Sequence, residues 1–346
     1  MKRLNLQLML LDNLIWVLVV LFFLLNLVIT PNFASYNNLI NILYHSSILS
    51  LLILAEGLTL LIGKLDLSIE STLAFAPGIA MLLATKWVPG GIDPITSIFL
   101  TLLIGALVGF FNGYCIAKVG MDPLLQTLSV SIMLRGLVLF LVPLSIFPLH
   151  KIYTYAGQAR LVANIPVAVV IVILVYLLFH FIMQHTIYGR QFLATGGNPK
   201  ASFIAGINTE RIVVSAFVLS GLLAAMAGLL TAGRQGSISN SMGTGMVMLA
   251  FAGAILGGTS LEGGKGTPMG MLGGALLLGM ISNALNLLGV GVTLVYATQG
   301  ALIFVAIVID RIRVRIRNRL LHQEQIRHLD AAEDTEKGLV VGQSLH

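Results

Sequence analysis

Ten apolar runs dominate this sequence, and they constrain the fold more than any other feature. A helix needs about 20 apolar residues, or ~17 at the short end, to cross the hydrocarbon core of a membrane. Lipid offers no hydrogen-bond partners, so a spanning segment must satisfy its own backbone, as a helix does. With 57% hydrophobic and 10% charged residues, the chain is predicted to be all-α, a polytopic transmembrane helical bundle of about ten spans. The runs cover approximately residues 8–30, 40–62, 67–85, 97–117, 124–144, 166–183, 212–232, 245–259, 269–288 and 292–309, the third and eighth being the weakest.

The basic residues between these runs predict the orientation of the chain. If all ten runs cross and the N-terminus is inside, eight Lys and Arg residues lie inside and four outside, leaving out the C-terminal tail and the in-span Arg135. Cytoplasmic loops carry such an excess of Lys and Arg. We therefore predict that both termini are cytoplasmic, and that the polar segment 186–211 lies on the same side.

Two regions of different composition follow from this reading. Residues 1–311 form the transmembrane domain, and residues 312–346 form a cytoplasmic tail that is first basic and then acidic. The arginines at every second position from 311 to 319 are expected to contact anionic lipid headgroups, and the acidic end is expected to be disordered. The net charge of +6 is explained by this membrane orientation, so no nucleic-acid partner is predicted.

The segment 186–211 is the longest polar interruption on the predicted inner side. Asn198 suits a helix N-cap, Pro199 the first helical position and Gly206 the left-handed residue that ends a helix. This pattern predicts a helix of about two turns, with a small apolar face formed by Ala201, Ile204 and Ala205 and with Lys200 and Ser202 pointing elsewhere. A short capped helix between membrane spans is suited to transmitting movement to or from a partner. An ordinary cytoplasmic loop is the alternative.

Two glycine-rich loops, residues 63–71 and 257–266, also break the apolar pattern. Irregular backbone near membrane depth is tolerated only inside protein or beside water, so Gly257 and Gly258 are candidates for a solute path or its gate. The second loop is no phosphate-binding loop, because Gly266 rather than Ser or Thr follows Lys265 and no strand precedes it. The sequence contains no catalytic or metal-binding pattern, so we predict neither an enzyme nor a metal site.

Ionisable and amide side chains within the spans form a second set of candidates. Glu56 and Arg135 lie in the second and fifth runs, where an unpaired charge costs at least about 2.5–3.5 kcal/mol. They are expected either to pair with each other or to line a solute path. Asn112, Asn283 and Asn286 could hydrogen-bond a hydroxylated solute, although intramembrane amides often bond a neighbouring helix instead.

Six motifs occur in consistent order along roughly residues 35–311. They are Asp66-Leu67-Ser68, Phe111-Asn112-Gly113, Arg135-Gly136, Tyr188-Gly189-Arg190, Thr195-Gly196-Gly197-Asn198, and Leu256-Gly257-Gly258-Thr259-Ser260-Leu261 through Gly263-Gly264-Lys265-Gly266. As a set, these motifs resemble the membrane permease subunit of bacterial sugar ABC importers of the ribose, xylose, arabinose and galactoside type, which includes autoinducer-2 permeases.

This resemblance implies a multi-pass subunit of the bacterial inner membrane that pairs with a second permease copy or paralogue. It would receive a sugar-like solute from a periplasmic solute-binding protein and be driven by a separate cytoplasmic ABC ATPase. No cofactor is expected on this chain, since the ATPase uses the ATP and magnesium. The implied ATPase-coupling residues are Gly189, Arg190, Gly196, Gly197, Asn198, Pro199, Lys200, Ala201 and Gly206. Taking these motifs together with the intramembrane polar residues described above, the candidate path or gate residues are Glu56, Asp66, Ser68, Asn112, Arg135, Gly257, Gly258, Asn283 and Asn286.

The chain departs from the pattern of this family at two places. Lys64 and Glu70 stand where glycines are common, and Gly243-Thr244-Gly245 is not followed by the usual acidic residue. The identity of the sugar or polyol therefore stays open. The alternative function is a secondary transporter driven by an ion gradient, with Glu56 carrying the proton.

Overall fold

The computed structural model describes residues 13–291, 294–295, 297–309, 311–312, 315–316 and 319. Within these residues the chain is helical and contains no β-strand. The helices are α1 (Leu14–Ile29), α2 (Tyr36–Leu61), α3 (Ile69–Leu82), α4 (Pro94–Tyr114), α5 (Pro123–Leu141), α6 (Lys151–Gln158), α7 (Val167–His185), α8 (Ile187–Gly197), α9 (Pro199–Ile204), α10 (Thr209–Gln235), α11 (Met246–Leu256), α12 (Pro268–Leu287) and α13 (Ala297–Ile309). Single π-helical turns extend α3 to Trp87 and α4 to Val119.

Six of these helices, namely α2, α4 with its extension, α5, α7, α10 and α12, are long and apolar enough to cross a membrane. The predicted all-helical, multi-pass fold is confirmed, whereas the ten spans and the cytoplasmic termini remain predictions. The first twelve residues, and the predicted tail apart from residues 312, 315, 316 and 319, lie outside the described residues.

The centre of the bundle is formed by α2 and α10. Every residue from Ser46 to Ile62 is buried, and α10 packs against α2, α3, α4 and α6. In the most apolar 18-residue stretch of α2, α10 and α12, 67% of the residues are buried. In the corresponding stretches of α4, α5 and α7, only 22–33% are buried. The peripheral helices thus leave large apolar faces uncovered, as expected for helices that contact lipid or another membrane protein.

Glycines allow the closest helix contacts in the bundle. A Cβ at Gly109 of α4 would overlap the carbonyl oxygen of Phe217 in α10. The Gly253-x-x-x-Gly257 and Gly270-x-x-x-Gly274 pairs likewise bring α11 and α12 into backbone contact. Small residues have this role in membrane helix packing.

Two helices begin inside the bundle. An irregular segment, 62–68, precedes α3, and another, 236–245, precedes α11. With 11 residues, α11 is about 16 Å long, roughly half the thickness of the hydrocarbon core. The predicted eighth span therefore contains a half-length helix, which explains its weak sequence signal.

Candidate functional site

The glycine-rich loops flagged in the sequence converge on the end of α8. The Leu61 carbonyl, at the end of α2, accepts a hydrogen bond of 2.8 Å from the Gly264 amide. Gly196 lies against the same carbonyl, and a Cβ at Gly196 would overlap it. A Cβ at Gly263 would lie 2.7 Å from the Gly196 oxygen and 2.8 Å from the Gly63 nitrogen. Backbone from three distant parts of the chain thus meets here at van der Waals distance, and we call this contact the glycine junction (Gly63, Gly196 and Gly263–Gly264).

The predicted short helix follows the glycine junction directly. The Asn198 side-chain oxygen accepts a 2.9 Å hydrogen bond from the Ala201 amide, Pro199 is the first residue of α9, and Gly206 has φ +83°. The three end signals read from the sequence are therefore confirmed, and the helix spans Pro199–Ile204. The sequence pattern did not indicate which face of the helix turns inward. In the structure Ser202 faces the bundle and is buried, whereas Ala201, Ile204 and Ala205 are exposed.

The outer side of α9 is an exposed apolar tip, which we define as Phe203 and Ile204. Their side chains are 71% and 85% exposed. The predicted coupling residues, except Gly189 and Gly196, are exposed as well: Arg190, Gly197, Asn198, Pro199, Lys200, Ala201 and Gly206. Gly189 is buried against the backbone of Met183. An exposed apolar patch with a polar rim is typical of a protein interaction site.

A cleft of about 410 Å³ opens beside the glycine junction. Lys64, Glu210 and Glu262 contribute charged groups to its lining, and Glu210 forms an exposed ion pair with Lys118. Partial burial lowers the pKa of the Lys64 ammonium group, and the Asp122 carboxylate partly opposes this shift. Lys64, one of the departures from the family pattern, thus lies next to the glycine junction and the start of α9 rather than in the bundle interior.

A second constellation is a buried polar cluster built around Asp66. One carboxylate oxygen accepts from the Ser68 hydroxyl at 2.6 Å and from the Ser68 amide at 3.0 Å, and the other accepts from the Ser220 hydroxyl at 2.8 Å. Asn112 donates to the Ser68 hydroxyl at 2.9 Å. The Glu56 carboxylate lies 3.5 Å from the Asp66 amide nitrogen. All five side chains are at most 2% exposed, so the structure brings together Glu56, Asp66, Ser68 and Asn112 but seals them from solvent.

Of the two expectations for Glu56 and Arg135, pairing with each other is wrong, because Arg135 has other partners. The guanidinium of Arg135 donates to the carbonyls of Asn240 at 2.9 Å and Met242 at 3.1 Å, and it lies 3.4 Å from the Glu70 carboxylate. Arg135 finds these partners because segment 236–245 passes beside α5 and supplies free carbonyls. Glu56 is instead in the Asp66 cluster, where one of its oxygens has no hydrogen-bond partner among the described residues.

Two of the departures from the family pattern, Glu70 and the Gly243-Thr244-Gly245 stretch, meet in space. The other oxygen of Glu70 accepts from the Gly245 amide at 3.1 Å and from the Val247 amide at 3.3 Å. Glu70 thus places a carboxylate at the N-terminus of α11, where the helix itself carries no acidic residue. A negative charge is favourable at this end of a helix.

The remaining candidates lie apart from these constellations. Asn283 and Asn38 exchange two side-chain hydrogen bonds of 2.9 and 3.0 Å between α12 and α2, a helix-packing role. Asn286 is exposed. Gly257 contacts the backbone of Gly270, and Gly258 is a left-handed residue in the adjoining loop.

Three important residues were missed at the sequence level. Ser220 is one of four hydroxyl residues in an apolar helix, Phe203 is one apolar residue among many, and Glu70 was noticed only as a departure from the family pattern. Ser220 contacts Asp66, Phe203 is exposed at the protein surface, and Glu70 contacts the N-terminus of α11. Spacing in the sequence reveals none of these features. Only the rarity of charge within the spans could have pointed to Glu70.

Replacing Ser220 with alanine is expected to destabilise the protein by about 1–3 kcal/mol, because a buried Asp66 oxygen loses its hydrogen-bond donor. Thermal unfolding of the detergent-solubilised protein would measure this change. Ser50→Ala is the control, since the buried Ser50 hydroxyl donates to the Ser47 carbonyl in its own helix. Equal midpoint shifts in the two variants would contradict a special role for the Asp66 cluster.

Comparisons with known proteins identify what this arrangement resembles. A family model described as "Branched-chain amino acid transport system / permease component" matches residues 38–307. A ribose import permease protein of Escherichia coli strain K12 is 33% identical over 289 residues, covering 82% of this chain and 88% of the relative. A D-allose transport system permease protein of the same strain is 30% identical, covering 81% and 85%. A fructose import permease protein of Rhizobium meliloti is 31% identical, covering 78% and 76%. No solved structure matches the chain significantly.

Proposed function

Since this chain belongs to the family of permease components of the branched-chain amino acid transport type, we propose that it is the membrane permease subunit of an ABC importer for a monosaccharide. The similarity to ribose, allose and fructose permeases over about four fifths of the chain carries this assignment. It also favours a sugar over the amino acids named in the family description. The family membership agrees with the resemblance carried by the sequence motifs.

The subunit has about ten spans in the bacterial inner membrane, with both termini in the cytoplasm. The excess of basic residues on one side supports this topology. In this orientation, the exposed apolar tip faces the cytoplasm. The loop that contains α6 faces the periplasmic solute-binding protein.

A cytoplasmic ATPase subunit binds the apolar tip and supplies the energy from ATP and magnesium. The contact uses Phe203 and Ile204 together with the exposed residues around them. Movement of α9 passes through α8 into the glycine junction, which touches the end of α2 and the loop before α12. Because every residue from Ser46 to Ile62 is buried, a displacement of α2 would alter the centre of the bundle and open the path alternately to each side.

The apolar faces of the peripheral helices α4, α5 and α7 contact membrane lipid and a second permease subunit. A two-fold arrangement places a path between two such subunits and offers one coupling segment to each of two ATPase copies. Either a second copy of this chain or a paralogue satisfies this geometry.

Reconstitution tests the proposed function directly. The chain would be placed in proteoliposomes with its ATPase and solute-binding protein, and uptake of labelled ribose, allose and fructose would be measured with ATP. We expect accumulation of one of these sugars that requires ATP hydrolysis and both partners. Uptake by the chain alone, driven by a proton gradient and abolished by Glu56→Gln, would instead establish the ion-gradient alternative.

A further inference from the structure

The irregular segment 236–245 enters the bundle from one end. Ile238 exchanges backbone hydrogen bonds of 2.9 and 3.1 Å with Ile146, five residues beyond the end of α5. Asn240 and Met242 then reach Arg135, which lies six residues before that end. Six residues of helix correspond to about 9 Å. The segment therefore descends well below the end of α5 before α11 begins.

Further contacts fix the lower end of the segment. A Cβ at Gly243 would lie 3.0 Å from the carbonyl oxygen of Glu70, at the start of α3. Leu73, one turn further along α3, is in contact with the backbone of Gly228 in α10, seven residues before the end of that helix. The start of α3 and the start of α11 thus lie together in the interior of the bundle.

Polar groups of this deep segment remain accessible. Ser241, Thr244 and Gly245 are exposed, whereas Ile238 and Met242 are buried. The Thr244 hydroxyl donates only to the Ser241 carbonyl within the segment. Non-helical backbone at membrane depth is tolerated where it is buried in protein or lines a water-filled cavity, and it does not face lipid.

The segment is fixed in this position by the ion pair of Glu70 and Arg135. The guanidinium binds two carbonyls of the segment, and the carboxylate binds two amides at its junction with α11. The side chains of Arg135 and Glu70 are only 19% and 17% exposed, respectively. Their hydrogen-bonding capacity is directed at the segment rather than at solvent.

We propose that Ser241, Thr244 and Gly245 line the aqueous path of the solute, and that Glu70 and Arg135 are the positioning pair that holds them there. This inference rests on the proposed transport function and identifies the part of the chain that the solute meets. Hydroxyl and backbone groups can exchange hydrogen bonds with a neutral, polyhydroxylated solute as readily as with water. Such a lining suits a monosaccharide that must bind weakly enough to leave.

The native chain has a single cysteine, Cys115, so site-directed cysteine labelling is straightforward. In a Cys115→Ala background, Ser241→Cys and Thr244→Cys would be treated in proteoliposomes with a charged, membrane-impermeant methanethiosulfonate. Phe140→Cys and Leu174→Cys are the controls, being 80% and 61% exposed on the apolar faces of α5 and α7. We expect the segment cysteines to react at least tenfold faster than both controls and to lose uptake on modification.

Reaction at the slow rate of the control cysteines would overturn the lining role, and so would fast reaction that leaves uptake unchanged. ATP-driven uptake by the unlabelled Cys115→Ala parent is measured in parallel. Failure of the parent would count against the proposed function, whereas an active parent with unreactive segment cysteines would count against this inference alone.

The positioning role has its own readout. Glu70→Ala should change the labelling rate of Thr244→Cys at least fivefold and raise the KM for the solute more than it lowers kcat, because the segment loses its anchor. Glu70→Asp keeps a carboxylate and should restore much of both values. Identical labelling rates in the Ala, Asp and parent backgrounds would exclude the positioning role.

Discussion

Gly196→Ala is expected to abolish ATP-driven uptake, whereas Gly197→Ala should leave uptake close to that of the wild type. A Cβ at Gly196 would overlap the Leu61 carbonyl oxygen and lie 2.6 Å from the Gly264 nitrogen, so backbone would have to move. At Gly197 the nearest atom to an added Cβ is the Gly264 Cα, at 4.0 Å. Overpacking of this kind costs about 1–3 kcal/mol, and here it separates the three segments of the glycine junction.

Uptake by proteoliposomes and the thermal midpoint of each purified variant would be measured together. A folded Gly196→Ala protein that binds the ATPase but does not transport would show that the glycine junction transmits movement. Normal uptake by Gly196→Ala would refute a mechanical role for the junction. The neighbouring Gly197→Ala variant controls for the general effect of removing a glycine from this helix end, since it differs only in the space around the added methyl group.

The helices and their ends were largely predictable from the sequence. Span-length apolar runs determine where helices form in lipid, and local signals such as Asn198, Pro199 and Gly206 act within one helical turn. The structure reproduces these signals in α9 because each depends on adjacent backbone. Which side of α9 is buried was not predictable, because the packing of α9 against α8 and α10 decides how so short a helix is oriented.

The intramembrane charges show where prediction from the sequence fails. Glu56 and Arg135 were natural partners because each is rare and opposite in charge, but pairing also requires proximity in three dimensions. The segment that precedes α11 supplies Arg135 with carbonyls and brings Glu70 within reach. Such a contact, between residues separated by more than 60 positions, leaves no periodic signal in either helix.

The buried polar cluster has the same origin. Asp66, Ser68 and Asn112 belong to recognisable motifs, but Ser220 is linked to them only by the packing of α10 against α3 and α4. The exposure of a candidate site is also invisible in the sequence. Four of the residues predicted to line a path, Glu56, Asp66, Ser68 and Asn112, are sealed in the cluster. Accessible polar groups occur in segment 236–245, which has little distinctive composition apart from its glycines and hydroxyls.

Phe203→Asp combined with Ile204→Asp is expected to release the ATPase from the permease while leaving the permease folded in the membrane. Both side chains are exposed in the isolated chain, so the substitutions remove no internal packing. Burying a large apolar side chain at an interface contributes about 1.5–3 kcal/mol, and 1.4 kcal/mol corresponds to about a tenfold change in affinity. We therefore expect at least a hundredfold weaker ATPase binding from the double substitution and a matching loss of uptake.

The matched control is Val162→Asp, which places the same charge on a side chain that is 91% exposed in the loop after α6, on the predicted periplasmic side. Co-purification of the ATPase with tagged permease from membranes in mild detergent would compare the variants with the wild type. Retention by Val162→Asp and loss by the double variant would assign the ATPase contact to the apolar tip. Full retention by the double variant would show that the ATPase binds elsewhere, because two buried carboxylates could not be accommodated in an apolar interface without a large loss of affinity.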